Sequence, residues 1–225
     1  MKKRLLIIPA RKGSKRIKNK NRKIFFGKPI IEYAFIAALK SKIFTCIHVS
    51  TDCKIIKKIS KKYNLNTEFD RPRSLSSDKT ELLRVFDFVV KKFKKKNMTF
   101  DEIWYLLPCS PLIKSYDLIK SSKFFNQRTE NCMLAVSKYS PPIEWAFKKN
   151  KSHNLKPFML NKLKLNSQKL TPSYYDTGTF GAFKANVFID SKRLNYCGYE
   201  IPRYKGIDVD NIEDWILLKK VYKKL

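Results

Sequence analysis

A chain of 225 residues with 49 basic and 19 acidic side chains carries a formal charge of +30 at pH 7, yet 43% of it is hydrophobic and 13% aromatic. That composition suits one globular domain and excludes a disordered basic tail. Five cysteines without a CxxC pair and only two histidines exclude a disulfide framework, a zinc ribbon and an imidazole-rich metal centre.

Leu5 to Pro9 is a continuous apolar run and reads as a buried parallel strand that empties into a basic loop. Pro29 to Lys42 reads as a helix with Pro29 at its first position, where a missing N–H is tolerated, and with Ile31, Ala34, Phe35, Ala38 and Leu39 at helical spacing. Thr45 to Ser50 is the second strand. Asp52 is the expected N-cap of an amphipathic helix carrying Ile55, Ile56 and Ile59, which Asn64 ends. Thr67 to Phe69 is a third short strand. Asp78, with Glu81 three residues on, predicts a capping box opening a helix through Lys96.

Glu102 to Leu107 is the fourth strand, Ser115 to Asn126 a helix, and Asn131 to Ser137 another strand. Between Tyr139 and Ser173 the pattern dissolves into prolines, lysines and polar residues, as in an inserted hairpin, a lid or a dimerisation arm. The alternation resumes at Thr179 to Lys184, and a strand over Gly206 to Val209 leads into a C-terminal helix capped by Asn211. Alternating strands and helices predict a three-layer α/β fold, with an open, mostly parallel sheet. One domain over residues 1–225, with an arm at 139–173, accounts for the whole chain. No apolar run reaches the roughly 18–20 residues of a membrane span, and the N-terminus turns basic too early for a signal peptide. A cytoplasmic protein without a membrane partner is expected.

The basic excess is mostly lysine, spread over outer helix faces such as Lys57, Lys58, Lys61 and Lys62, or gathered at helix C-termini, as at Lys91 to Lys96 and Lys219 to Lys224. No nucleic-acid reader motif accompanies it, so no specific nucleic-acid partner is expected, although a basic nucleic-acid-binding protein is the alternative from a different class.

Two segments carry chemistry. The loop ARKGSKRIKNKN, Ala10 to Asn21, follows the first strand, where ligands collect in parallel α/β sheets. Gly13 lets backbone approach a phosphate, Ser14 can donate a hydroxyl hydrogen bond, and Arg11, Lys15, Arg16 and Lys20 supply positive charge. Neither GxxxxGK[ST] nor GxGxxG is present. In IDVDNIED, Ile207 to Asp214, strand alternation puts Asp208 and Asp210 on one face. Paired carboxylates suit magnesium, which takes one or two of them and fills its other positions with water and phosphate oxygens. Alternatively one acid caps the next helix, a task Asn211 can perform instead. Together these segments imply chemistry on a nucleoside tri- or diphosphate, driven by positioning and charge neutralisation. Cys109 has no histidine near it in sequence and reads as a packed thiol.

The residues resemble the cytidylyltransferases that activate nonulosonic acids, over nearly the whole chain. IPARKGSKRIKNKN is similar to the family's P-A-R-x-x-S-K-x-x-x-x-K-N, and RPRSLSSD to its RPxxLxxD. LLPCSP, Leu106 to Pro111, resembles its substrate strand ending in P-T-S-P or P-T-A-P, and IDVDNIEDW its acidic I-D-I-D-T-x-x-D. SQKLTPSYYDTGTF, Ser167 to Phe180, and the closing IPRY resemble the pseudaminic acid branch rather than the N-G-A-I-Y of sialic acid enzymes. Departures fall at Leu107, where Gln or Tyr is usual, at Cys109 for Thr, at Asn166 for Arg, and at Gly181 and Ala182 for an aromatic pair.

The resemblance implies a Rossmann-like nucleotide-diphospho-sugar transferase fold with a small dimerisation arm. It implies CMP transfer from CTP to the anomeric hydroxyl of a nonulosonic acid, pseudaminic acid first, with sialic, legionaminic or another sugar acid as alternatives. Nucleotide binding falls on Arg11, Gly13, Ser14, Lys15, Lys20, Asn21, Arg71, Asp78 and Thr80. Catalysis falls on Arg11, Lys15, Asp208 and Asp210, the two aspartates holding magnesium or manganese. The sugar falls to Leu107, Gln168, Tyr174 and Asp176, and a homodimer is implied.

Overall fold

A computed structural model describes residues 2–14, 16–186 and 194–225. The first strand, β1 (Arg4–Pro9), is buried along its length, as RLLIIP requires of a central strand covered on both faces. Beyond the basic loop, β2 (Ile24–Phe25) and β3 (Lys28–Pro29) form a small hairpin, followed by α1 (Ile31–Ser41), β4 (Cys46–Ser50), α2 (Lys54–Lys62), α3 (Leu82–Lys94), β5 (Glu102–Leu106), α4 (Ser115–Asn126) and β6 (Cys132–Lys138). A second hairpin, β7 (Phe147–Lys149) and β8 (Leu155–Pro157), precedes β9 (Tyr174–Lys184), β10 (Tyr196–Glu200), a 3-10 turn at Arg203–Gly206 and α5 (Ile212–Lys224).

The main sheet runs β10-β6-β9-β5-β1-β4, with β9 alone antiparallel to its neighbours. Side chains of β1 alternate between the two faces. Leu6 and Ile8 pack with Phe35 of α1, Ile56 of α2 and Leu118 of α4, while Leu5 and Ile7 pack with Val85, Val89 and Phe93 of α3. This is the expected three-layer arrangement. A third cluster joins Trp215 and Leu218 of α5 to Ile17, Phe25 and Cys109, so α5 supports the basic loop from below.

Several local expectations are corrected. Pro29 ends β3 instead of starting α1, because Ile30 N donates back to Lys23 O at 3.0 Å and completes the hairpin first. Asp52 does not cap α2, whose N-cap is Cys53; its carboxylate accepts from Lys12 N at 2.6 Å and holds the basic loop. Asp78 and Glu81 form no capping box, since α3 begins at Leu82 and Asp78 pairs with Arg11. Residues 67–69 contribute no strand, only a bridge between His48 and Asn66. Residues 206–209 are not a strand either, and the edge position belongs to β10. Asn211 does cap α5, its side chain accepting from Asp214 N at 3.0 Å.

One buried group gives the fold a pH signature. His48 is fully buried between Phe69 and Phe93, with Nδ1 on Asn66 Oδ1 at 2.8 Å, and burial pushes its pKa down to about 4 despite that bond. The unfolded chain protonates this imidazole near its ordinary 6.5. The neutral form therefore stabilises the fold fully above pH 6.5, and the contribution, up to about 3 kcal/mol, drains away as pH falls toward 4. Urea midpoints should fall over that window, and His48→Gln should flatten this part of the profile; an unchanged profile would remove His48 as its source.

Candidate active site

At the carboxyl end of β1 the sheet divides, with β4 on one side and β5 on the other, which is the position where open α/β sheets bind ligands. A cavity of about 400 Å³ opens there. Its walls include Arg11, Gly13, Ser14, Arg16, Lys20 and Asn21 from the basic loop, Arg71, Ser77, Asp78 and Thr80 ahead of α3, Leu82 at its first position, Leu107 to Ser110 after β5, Gly178 and Thr179 of β9, and Ile207, Asp208 and Asp210. Segments distant in sequence thus meet in one cleft.

Each wall is pinned by backbone. Ala10 N donates to Ser50 O at 2.9 Å and Asn21 Nδ2 to Arg11 O at 3.0 Å, closing the basic loop on itself. Arg71 is buried and points both Nε (2.8 Å) and Nη2 (2.6 Å) at Leu75 O, which folds the segment before α3. Leu107 N donates to Thr179 O at 2.7 Å, extending the β5–β9 pairing to the cleft. The β6–β9 register shifts between Leu134 and Val136, and Gly178, at φ +62°, makes the turn that brings β9 beside Asp208. Asp176 Oδ1 accepts from Gly178 N at 2.8 Å and fixes that bulge.

The acid segment is held from three directions. Gly206 packs so closely on Thr177 that a Cβ there would sit 2.6 Å from Thr177 Cγ2. Lys205 reaches Asp117 at the start of α4 at 2.6 Å. Asp214 Oδ2 accepts from the backbone N–H groups of Asp210 and Asn211, both at 2.9 Å. Capping of α5 therefore falls to Asn211 and Asp214, which leaves the carboxylates of Asp208 and Asp210 in the cleft.

Charge is tightly cross-linked. Arg11 pairs with Asp78, Arg16 Nη2 with Asp210 Oδ1 at 2.9 Å, and Lys20 Nζ lies 3.7 Å from the same oxygen while donating to Val209 O at 2.5 Å. Burial and then the neighbouring Asp210 raise the pKa of Asp208, against the pull of Lys20 and Arg16. A carboxylate whose charged form is disfavoured by burial and by a second carboxylate beside it is a donor that a hard divalent cation relieves. Among the described residues no group of three or more His, Cys, Asp or Glu side chains is placed to hold a metal, so a cation on Asp208 and Asp210 would take its other positions from water and phosphate oxygens.

Cys109 lines the cleft but is no nucleophile. Its thiol is buried, donates to Asn21 Oδ1 at 3.5 Å, and is pushed up to about 12 by burial, Lys20 opposing. Cys109→Ser should keep kcat/KM within about tenfold, less than the loss general catalysis by a nucleophile carries. A loss beyond about a thousandfold in the same assay would reinstate the thiol.

Of the sequence-derived nucleotide residues, Arg11, Gly13, Ser14, Lys20, Asn21, Arg71, Asp78 and Thr80 all line the cleft, as do Asp208, Asp210 and Leu107. Lys15 lies outside the described residues. Three sugar residues stand elsewhere in the chain. Gln168 sits beside Tyr139 and Pro142 in the segment between β6 and β9, Tyr174 lies beside Tyr196 and Gly198 of β10, and Asp176 braces Gly178. Ser77, Ser110 and Thr179 were not foreseen. Ser110 and Thr179 lie inside the LLPCSP and SQKLTPSYYDTGTF segments, and membership of those segments is the signal that marks them.

The chain belongs to the cytidylyltransferase family, whose profile matches residues 5–182. It is 31% identical to a pseudaminic acid cytidylyltransferase of Campylobacter jejuni over 98% of this chain and 97% of that one. It is 29% identical to a CMP-N,N'-diacetyllegionaminic acid synthase of Legionella pneumophila, over 96% and 95% respectively. Its fold is that of a CMP:2-keto-3-deoxy-manno-octonic acid synthetase solved in complex with CTP, with a TM-score of 0.71 at 15% identity over 99% of each chain.

Proposed function

We propose that this chain is a CTP-dependent cytidylyltransferase that joins CMP to the anomeric hydroxyl of a nonulosonic acid, with pseudaminic acid as the preferred acceptor. The observation that carries the reading is the meeting of the basic loop and the acid pair in one cleft at the end of β1. The relatives that make CMP-pseudaminic and CMP-legionaminic acids support the acceptor class.

The anomeric oxygen forms a bond to the α-phosphorus as the bond to the departing pyrophosphate breaks, and the hydroxyl proton is released. Arg11, Ser14, Lys15 and Lys20 bind and orient the triphosphate, and Arg11 and Lys15 meet the charge that builds on pyrophosphate. Arg71, Asp78 and Thr80 close the nucleotide end of the cleft. Asp208 and Asp210 would hold magnesium or manganese, which supplies neutralisation of phosphate charge and acidifies the attacking hydroxyl. Leu107 lines the acceptor side.

A homodimer fits the remaining sugar residues. Phe158 and Leu160 on the arm are 67% and 74% exposed, and Trp145, Phe147 and Leu155 are exposed with them. Burial of these side chains against a second copy would carry Gln168 toward that copy's cleft, with Tyr174 and Asp176 behind it. The setting is cytoplasmic: CTP is the donor, and all five cysteines are free thiols.

The test is pyrophosphate release from CTP with magnesium, run with pseudaminic, legionaminic, N-acetylneuraminic and 3-deoxy-manno-octulosonic acids, and with UTP as control. Release with pseudaminic acid above the others is expected. Release with another acid keeps the chemistry and moves the specificity to Leu107, Asn166 and Gly181, whereas silence with every acid overturns the reading.

A further inference from the structure

In the cleft the loop cations Arg11 and Arg16 are each paired with a cleft acid, Asp78 and Asp210. Arg16 is paired with Asp210 at 2.9 Å, and this ion pair is open to water, with side-chain exposures of 67% and 40%. Lys20 approaches the same carboxylate at 3.7 Å but is anchored differently, through a 2.5 Å bond to Val209 O and only 23% exposure. Exposed pairs of the first kind contribute little stability and exchange partners readily. A half-buried lysine fixed to a backbone carbonyl does not. The two cations therefore have separate tasks: Lys20 holds the acid segment in place, and Arg16 occupies Asp210.

From this arrangement we infer that Arg16 couples metal and nucleotide binding by exchanging partners. When a divalent cation takes Asp210, Arg16 is released to meet a phosphate oxygen. When phosphate takes Arg16, Asp210 is released to the cation. Each ligand removes the group that obstructs the other, so each raises the other's affinity by one common factor, as reciprocal linkage demands. Arg16 is here a positioning residue and performs no bond chemistry. The inference rests on the CTP reading above, and equilibrium binding tests it without turnover.

The experiment is calorimetric titration of CTP into the full chain in EDTA and in magnesium, the ratio of the two dissociation constants being the coupling factor. Arg16→Ala should lower that factor at least fivefold, mostly by weakening CTP in magnesium. Asp210→Asn, which frees Arg16, should tighten CTP several-fold in EDTA and abolish the response to magnesium. Lys12→Ala removes equal charge from the same loop but not from the cleft wall, and should leave the factor unchanged. A factor within twofold of the parent in Arg16→Ala, or the same drop in Lys12→Ala, overturns the exchange while leaving CTP binding intact. No CTP binding by the parent protein in either buffer would overturn the function itself, and the exchange with it.

Discussion

Asp208→Asn is expected to lower kcat/KM for pyrophosphate release by about a thousandfold or more while leaving the thermal midpoint unchanged or slightly raised. The substitution keeps shape and removes one of two carboxylates available to a divalent cation, whose charge neutralisation is worth several kcal/mol in phosphoryl chemistry. Stability moves the other way because burial and Asp210 already disfavour the charged form of Asp208. A raised carboxyl pKa also sets the acid limb of the activity profile. Asp208 must ionise to hold a cation, so activity should begin to fall, as pH is lowered, above the ordinary aspartate range. Full activity in Asp208→Asn, measured with the midpoint on the same sample, would take this residue out of the chemistry.

The largest effect on stability is expected at Glu102, far from the cleft at the opposite end of β5. This carboxylate is buried and accepts from Lys2 Nζ at 2.7 Å, Arg4 Nε at 2.8 Å and Trp104 Nε1 at 2.9 Å, while Arg4 Nη2 reaches Asn126 Oδ1 at 3.1 Å. Burial alone would raise its pKa, but those three donors prevail and hold it below the ordinary glutamate value. Its stabilising contribution is therefore complete at neutral pH and is lost as pH falls through that lowered value. Glu102→Ala strands Arg4 as a buried, unpaired cation, a change that costs about 3–5 kcal/mol, or roughly 6–20 °C in a domain of this size. The double variant Glu102→Ala, Arg4→Met should recover much of that loss. A single-variant loss below about 1 kcal/mol in urea unfolding would show that the cluster relaxes around the vacancy.

Much of the architecture could be read from local pattern. RLLIIP announces a central strand because only a fully covered strand tolerates an unbroken apolar run, and SYDLIKSSKFFN becomes α4 over the expected Ser115–Asn126. What local pattern misses is competition for polar side chains. Asp52 and Asp78 have the right spacing for helix caps, but a basic loop brought close by the sheet offers them stronger partners in Lys12 N and Arg11. Asp208 and Asp210 do line one cleft, but not by strand alternation, since their segment is an extended connection held by Asp214, Lys205 and Gly206. Nor does periodicity reveal direction. β9 has the residues of any sheet strand, and its antiparallel insertion between β5 and β6 is a long-range pairing choice.

That insertion bears on how freely the segment between β6 and β9 can vary. Lys138 and Tyr174 face each other across the β6–β9 ladder, so the sheet itself ties off the segment between them at its root. Lengthening or shortening a tied excursion changes only its closure entropy, about 0.6 kcal/mol per doubling of length. The excursion is therefore an exchangeable module. Insertions and deletions can accumulate there between descendants, or be made by design, while β6 and β9 keep their register.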